Sequence, residues 1–98
     1  MNFSYKIHKS GSDKLLAVCD RDILGKDFEN TENNISINPD FYHGDFADAT
    51  SIIDNIKDAT IINAIGKNTI ELLVKNNPAN KEAVIDICSL PHLIIICV

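Results

Sequence analysis

The last six residues of the chain, 93–98, are all apolar, and four of them are β-branched. No polar residue alternates with them, so neither face of a strand here is patterned for water. A short unbroken run of this kind predicts a central β-strand covered on both faces. A helix is less favoured, because the run is short, β-branched and preceded by Pro91. The chain is therefore expected to end inside its own sheet.

The N-terminal segment predicts a β-hairpin. Apolar and polar residues alternate along 3–8, as in a strand with one face in water. Residues 10–13 form a turn cluster, and 15–20 is the returning strand. The segment 21–24 is expected to make one helical turn after it.

The centre of the chain predicts two helices on either side of a strand. Apolar residues in 49–56 recur at the i, i+3, i+4 and i+7 spacing of an amphipathic helix, with Asp48 as its cap. Residues 60–65 form a strongly apolar strand. The second helix is expected to be capped by residue 68 or 69 and to end before Pro78.

The connecting segments are shorter. The polar stretch 29–34 is predicted to be an exposed loop, and 35–37 a short edge strand that ends before Pro39. The aromatic turn 41–44 is expected to plug the side of a core, and 80–82 to form a short helical turn.

The C-terminal segment predicts a second hairpin, in which strand 84–88 and the loop 89–92 precede the terminal strand. Hairpins at both ends with helices between them predict an α+β fold with a mixed sheet and two main helices. The length of 98 residues predicts a single domain, 1–98.

The net charge of −5 is concentrated in the first half of the chain. An acidic surface repels phosphate backbones, which argues against broad nucleic-acid binding. No segment has the roughly 18 apolar residues that a membrane span requires, and residues 1–6 do not resemble a signal peptide. We therefore expect a cytosolic protein without membrane contact.

The corner formed by Gly66, Lys67, Asn68 and Thr69 is a candidate anion site, because a strand leads through glycine and lysine into a helix start. A full phosphate-binding loop would need a glycine at the position of Ile61. The corner is therefore not a nucleotide-binding loop. The plainer interpretation is a capped strand-to-helix turn.

Asn63 is a second candidate, because it shares the face of its predicted strand with Ile61 and Ile65. An amide on an apolar face needs hydrogen-bond partners. It either pins a neighbouring loop or lines a small cleft.

The cysteines and histidines show no zinc-ligand spacing, so neither a metal nor a cofactor is expected. In the predicted C-terminal hairpin Cys88 lies opposite Leu93 and far from Cys97, which disfavours a disulfide. Cys19 and His92 could act as nucleophile and base if folding brought them together. Otherwise His92 is expected in an exposed loop.

The charged segment 19–26 lies where a strand ends and a loop begins, a frequent location for functional residues. It contains Asp20 and Lys26, and its alternative interpretation is a turn held by its own salt bridges.

Several of these short segments together resemble a small archaeal family described only as a domain of unknown function, number four-two-four. They are Ala17-Val18-Cys19-Asp20, Leu24-Gly25-Lys26, Phe41-Tyr42 with Gly44, Ala59-Thr60-Ile61 with Asn63 and Gly66, and Pro91-His92. The chain differs from that pattern in having no valine before Gly66 and in its asparagine-rich 29–34 segment. The resemblance implies an archaeal cytosolic protein, associated with translation, for which the family supplies no established activity.

The leading hypothesis is a non-catalytic binding module for a protein or RNA–protein partner, because no catalytic constellation is visible. The alternative is a small enzyme in which Cys19 is the nucleophile or Asp20 the base. The residues expected to form the site are Cys19, Asp20, Lys26, Asn63, Gly66, Lys67 and His92.

Overall fold

The computed structural model describes residues 1–96, which form strands, helices and two short 3₁₀ segments, Arg21–Ile23 and Pro78–Ala83. The strands are β1 (Phe3–Ser10), β2 (Asp13–Asp20), β3 (Asp27–Glu29), β4 (Asn34–Ser36), β5 (Asp45–Ala47), β6 (Ile61–Ile65), β7 (Ile85–Ile87) and β8 (Leu90–Ile96). The α-helices are α1 (Pro39–Tyr42), α2 (Ala49–Ile56) and α3 (Lys67–Asn76).

Six strands form one mixed sheet in the order β5-β1-β2-β6-β8-β7. The central pair, β2 and β6, is parallel, and the other neighbours in this sheet are antiparallel. Strands β3 and β4 form a separate two-stranded ribbon. The prediction of an α+β fold with a mixed sheet, hairpins at both ends and two main helices is confirmed.

The alternation of side chains gives the sheet two faces. On the helix face, Leu16, Val18 and Ile62 are buried against Ile52 of α2 and Leu73 of α3. We call the opposite side the ribbon face. On this face Ala17, Cys19, Ile65 and Leu90 are buried beneath the β3–β4 ribbon, α1 and the segments beside them. The covering residues include Ile23, Leu24, Phe28, Ile37 and Tyr42.

The C-terminal hairpin differs from its prediction. Cys88 and Ser89 have positive φ angles of 53° and 66°, as the two central residues of a tight hairpin turn do. The predicted four-residue loop 89–92 is therefore wrong, and β8 begins at Leu90 opposite Ile87. Cys88 accordingly does not lie opposite Leu93.

The terminal strand is an inner strand of the sheet, between β6 and β7, but the prediction that it is covered on both faces is wrong. Strand β8 is the second strand from the edge of the sheet. Leu93 is buried on the helix face, whereas Ile94 is 54% and Ile96 is 72% exposed on the ribbon face. Apolar composition alone therefore does not report burial here. The predicted positions of Cys97 and Val98 lie outside the described residues.

The other segments follow the sequence more closely. Helix α2 has the predicted bounds, and the side chain of Asp48 accepts a hydrogen bond from the Ser51 amide as its cap. Tyr42 of the aromatic segment is buried, as expected of a plug. The polar 29–34 stretch is the tip of the β3–β4 ribbon, and the predicted edge strand pairs with β3 instead of the main sheet. No helix within residues 1–96 combines the length and the apolar character needed to cross a membrane.

Candidate functional site

Asp20 caps α3 from the end of β2. The parallel pairing of β2 with β6 places Cys19 opposite Ile65, so Asp20 lies beside the start of the helix. Its Oδ2 accepts a hydrogen bond from the Asn68 amide at 3.0 Å, and its Oδ1 accepts from the amide and the hydroxyl of Thr69, both at 2.7 Å. Asp20 is only 4% exposed.

This cap bears on two predictions. Neither Asn68 nor Thr69 caps the helix with its own side chain, because the cap is supplied by Asp20, distant in sequence. The Asn68 and Thr69 amides, two of the donors that the predicted anion site would use, already donate to this carboxylate, so the structure favours the alternative of a capped strand-to-helix turn. A negative charge at this helix terminus is favourable, which explains why an acidic side chain is accommodated there.

Gly66 is required by that cap. Its φ of +113° is in the region that favours glycine, and a Cβ atom would lie 2.6 Å from both Cγ and Oδ1 of Asp20. The Gly66 amide donates to the Pro91 carbonyl oxygen at 3.0 Å. The residue therefore has a structural role at the junction of β6, α3 and β8.

A shallow pocket of about 290 Å³ lies beside this junction. Asp20 and Lys67 both line it, together with Asp22, Ile23, Asn68 and Leu90. Lys26 is exposed and lies outside this lining, with its amide bonded to the Ile23 carbonyl oxygen. The structure thus brings Asp20 and Lys67 together and leaves Lys26 apart.

Cys19 is completely buried on the ribbon face. Burial, followed by the negative charges of Asp20 and Asp22, raises the pKa of its thiol to about 12. A nucleophilic cysteine needs a lowered pKa and access to solvent, so this environment opposes the enzyme hypothesis based on Cys19. The potential base for it, His92, is hydrogen-bonded to Asn63 instead.

Asn63, Tyr42 and His92 form a polar cluster on the ribbon face. The Tyr42 hydroxyl donates to Asn63 Oδ1 at 3.0 Å, and His92 Nε2 lies 3.0 Å from the same oxygen. Asn63 therefore ties α1 to β6 and β8, in agreement with the prediction that it pins a neighbouring segment. His92 is only 9% exposed within β8, so the expectation of an exposed loop histidine is wrong.

The cluster fixes the orientation of the Asn63 amide. Burial lowers the pKa of His92 and favours its neutral form. If Nε2 carries the proton, it donates to Asn63 Oδ1, and the buried Nδ1 is left as an acceptor without a partner in the described structure. If the Asn63 amide were flipped, its Nδ2 would donate to His92 Nε2, and the imidazole proton would lie on Nδ1. That buried N–H would then be a donor without a partner, so the orientation with Oδ1 toward Tyr42 and His92 is favoured.

An exposed apolar surface lies next to this cluster. Ile85, Ile94 and Ile96 expose 55%, 54% and 72% of their surface, and we call these three residues the isoleucine surface. The strand register places all three on the ribbon face, with Ile94 directly opposite Asn63 and Ile85 opposite His92. Sequence reasoning missed this surface, because an unbroken apolar strand predicts burial on both faces.

The sequence profile of a family described as "Protein of unknown function (DUF424)" matches residues 8–98. The chain belongs to this family. A search of curated proteins finds no match.

A solved structure has the same fold. It is described as the crystal structure of an uncharacterized conserved protein from Methanopyrus kandleri, and it is 24% identical to this chain with a TM-score of 0.78. The alignment covers 95% of this chain and 89% of that chain.

The segments by which the sequence resembles the DUF424 family meet in two places in the fold. Asp20 and Gly66 form the α3 cap, and Tyr42, Asn63 and His92 form the polar cluster. In the cap the Asn68 and Thr69 amides already donate to Asp20, whereas the polar cluster borders an exposed surface. The polar cluster and the isoleucine surface are therefore the better candidate for a functional site.

Proposed function

We propose that this DUF424 protein is a non-catalytic binding module that docks a protein partner on the isoleucine surface. The observation that carries this proposal is the exposure of Ile85, Ile94 and Ile96 on the part of the ribbon face formed by β7 and β8, while the helix face of β8 is packed. Contiguous exposed apolar side chains on a protein surface mark interaction sites. The partner is expected in the cytosol, and the family resemblance favours a component of the translation apparatus.

The chemistry of the surface favours protein over nucleic acid. Its exposed members are aliphatic, whereas single-stranded nucleic acids bind to aromatic platforms and basic grooves. The chain carries a net charge of −5, which repels phosphates. A ribonucleoprotein would accordingly be contacted through one of its protein components.

Charge also favours a different protein over a second copy of this chain. Two copies would bring together two net charges of −5, whereas a basic partner would be attracted. We therefore expect an apolar contact segment flanked by basic residues on the partner. The protein by itself is expected to be monomeric.

The size of the surface is appropriate for the centre of a small interface. Removing the exposed parts of three isoleucine side chains from water contributes on the order of 3 kcal/mol, taking about half the value of full burial for each. A few buried side chains often dominate the affinity of a complex. A single charge introduced among them is expected to have a large effect on binding.

Ile94→Asp tests the proposal, with Thr50→Asp as the control at an exposed position on α2. The wild-type protein and both variants are used as baits in the native cytosol, and the recovered proteins are quantified. The strongest candidate is then purified and its Kd for each bait is measured by calorimetry.

We expect a protein that binds the wild-type and Thr50→Asp proteins and loses affinity at least tenfold for Ile94→Asp. Equal affinity for all three would contradict the proposed surface. If no ribosomal or translation component is among the proteins that bind wild-type and Thr50→Asp but not Ile94→Asp, the translation part of the proposal is wrong. If the purified wild-type protein sediments as a dimer and Ile94→Asp as a monomer, the surface binds a second copy of this chain and not a different protein.

A further inference from the structure

We propose that the side-chain amide of Asn63 is the polar anchor of this surface, and that it donates from Nδ2 to a main-chain carbonyl oxygen of a bound, extended protein segment. This inference rests on the proposed function. It adds the polar contact by which this apolar surface would hold an extended segment, whose carbonyl oxygens are free, in preference to a helix, whose carbonyl oxygens are already hydrogen-bonded.

The hydrogen bonds of Asn63 are made by its oxygen alone. Oδ1 accepts from Tyr42 and His92, and within residues 1–96 Nδ2 makes no hydrogen bond to the protein. Among side-chain atoms of the described structure, the buried polar atom that lacks a partner is His92 Nδ1, so Nδ2 of the half-buried Asn63 has access to solvent. The amide therefore keeps an unpaired donor, Nδ2, in contact with solvent.

The position of this donor suits recognition of an extended segment. Asn63 lies directly opposite Ile94, and Ile61 and Ile96 form the next pair on the same face. The donor is thus placed among aliphatic side chains. An extended chain laid across them would pack its apolar side chains on the isoleucines and could direct a main-chain carbonyl oxygen at Nδ2.

The orientation of the donor is set before binding. Tyr42 and His92 both bond Oδ1, so rotating the amide by 180° would break two hydrogen bonds. A fixed donor lowers the ordering cost of the complex. It also penalises partners without a matching acceptor, because covering Nδ2 would leave a polar group unpaired.

Asn63→Asp preserves the size of the side chain and the oxygen that accepts from Tyr42 and His92, but it also adds a negative charge. An NMR titration of the wild-type protein therefore decides whether Nδ2 itself donates. The substitution replaces the donor Nδ2 with an acceptor, which a carbonyl oxygen would not bind. We expect Asn63→Asp to weaken binding roughly 5- to 150-fold, the range for leaving one buried polar group unpaired.

The probe is a peptide enriched from a display library of random twelve-residue peptides by selection on the wild-type protein. Its Kd is measured for wild-type, Asn63→Asp, Ile94→Asp and Thr50→Asp proteins. We expect both Asn63→Asp and Ile94→Asp to lose affinity and Thr50→Asp to retain it. If the enriched peptides bind Ile94→Asp with the same Kd as the wild-type protein, or if no peptide is enriched, the proposed function and this inference are both overturned.

Loss of affinity in Ile94→Asp with full affinity in Asn63→Asp would overturn this inference alone and leave the docking surface in place. A measurement on the wild-type protein covers the case in which Asn63→Asp does not fold. The Asn63 side-chain amide protons are followed by ¹H–¹⁵N NMR during peptide titration. We expect one of them to move downfield on binding, and unchanged resonances at saturation would contradict the proposed hydrogen bond.

Discussion

A Cβ atom on Gly66 would lie 2.6 Å from the carboxyl carbon of Asp20, so the absence of a side chain at residue 66 allows Asp20 to cap α3. Gly66→Ala is expected to lower the free energy of unfolding by roughly 2–5 kcal/mol, because strain at positive φ adds to a steric clash. Chemical denaturation measures the change.

Gly11→Ala is the matched control for that substitution. Gly11 also has a positive φ, but nothing lies within 4 Å of its Cβ position. The free energy of unfolding of Gly11→Ala should fall by only about 1 kcal/mol, which is the lower end of the cost of backbone strain at positive φ. Equal losses for the two variants would show that contact with Asp20 does not constrain residue 66.

Asn63→Ala should lower the free energy of unfolding by roughly 1–3 kcal/mol, because the Tyr42 hydroxyl and the buried His92 imidazole lose their shared acceptor. Asn55→Ala is the control, since its amide donates to the Ser51 carbonyl oxygen one turn away in α2. That change should stay within about 0.5 kcal/mol. If Asn63→Ala were as harmless as Asn55→Ala in a denaturant series, the polar cluster would have no role in stability.

The Cys19 thiol should react with an aromatic disulfide reagent only as fast as the protein opens. Complete burial and a pKa raised to about 12 leave almost no accessible thiolate at pH 8. The measurement uses a Cys88→Ser/Cys97→Ser variant, in which Cys19 is the remaining cysteine. A rate that rises with denaturant confirms burial, whereas rapid modification of the native protein would revive the enzyme hypothesis.

The stability of the protein should fall as the pH decreases through the ordinary histidine range. Burial lowers the pKa of His92 below its usual value of 6.5, so the unfolded chain takes up a proton that the folded protein resists. The free energy of unfolding therefore decreases below about pH 6.5 and levels off beneath the pKa of the folded state. His92→Gln should remove part of this slope in denaturation curves recorded from pH 5 to 8, and an unchanged slope would contradict a buried neutral imidazole.

The sequence predicted the fold class because periodicity and turn residues are local signals. The stripe in α2, its cap by Asp48 and the strand that became β6 could be located from neighbours along the chain. The Asp20 cap of α3 could not, because it depends on the parallel pairing of two strands separated by 40 residues of intervening chain. Local sequence offered Asn68 and Thr69 as caps, and tertiary structure supplied a better acceptor.

The candidate site could be predicted only in part. Asn63 was identified because an amide on an apolar face requires partners, but Tyr42 had no comparable signal linking it to Asn63. The isoleucine surface was missed for the opposite reason, since an apolar strand inside a protein and an apolar strand left open for a partner have the same composition. Only the register of β8 in the sheet separates Ile94 from its buried neighbour Leu93.

Ile94 and Ile95 allow the same substitution to be compared on the two faces of β8. Ile95 packs against the core of the helix face, so Ile95→Asp should unfold the domain or cost several kcal/mol, because it places a charge among apolar side chains. Ile94 is more than half exposed, so Ile94→Asp should leave the melting temperature nearly unchanged. A stable Ile95→Asp protein would contradict the packing of β8 on this face.

The most direct test of the docking surface is the Kd of a partner recovered from the cytosol, measured for wild-type and Ile94→Asp proteins of equal melting temperature. The proposed docking surface predicts at least a tenfold weaker complex for Ile94→Asp, because a charge would replace an apolar side chain at the centre of the proposed interface. An unchanged Kd with an intact fold would contradict the assignment of this sheet face as the binding site.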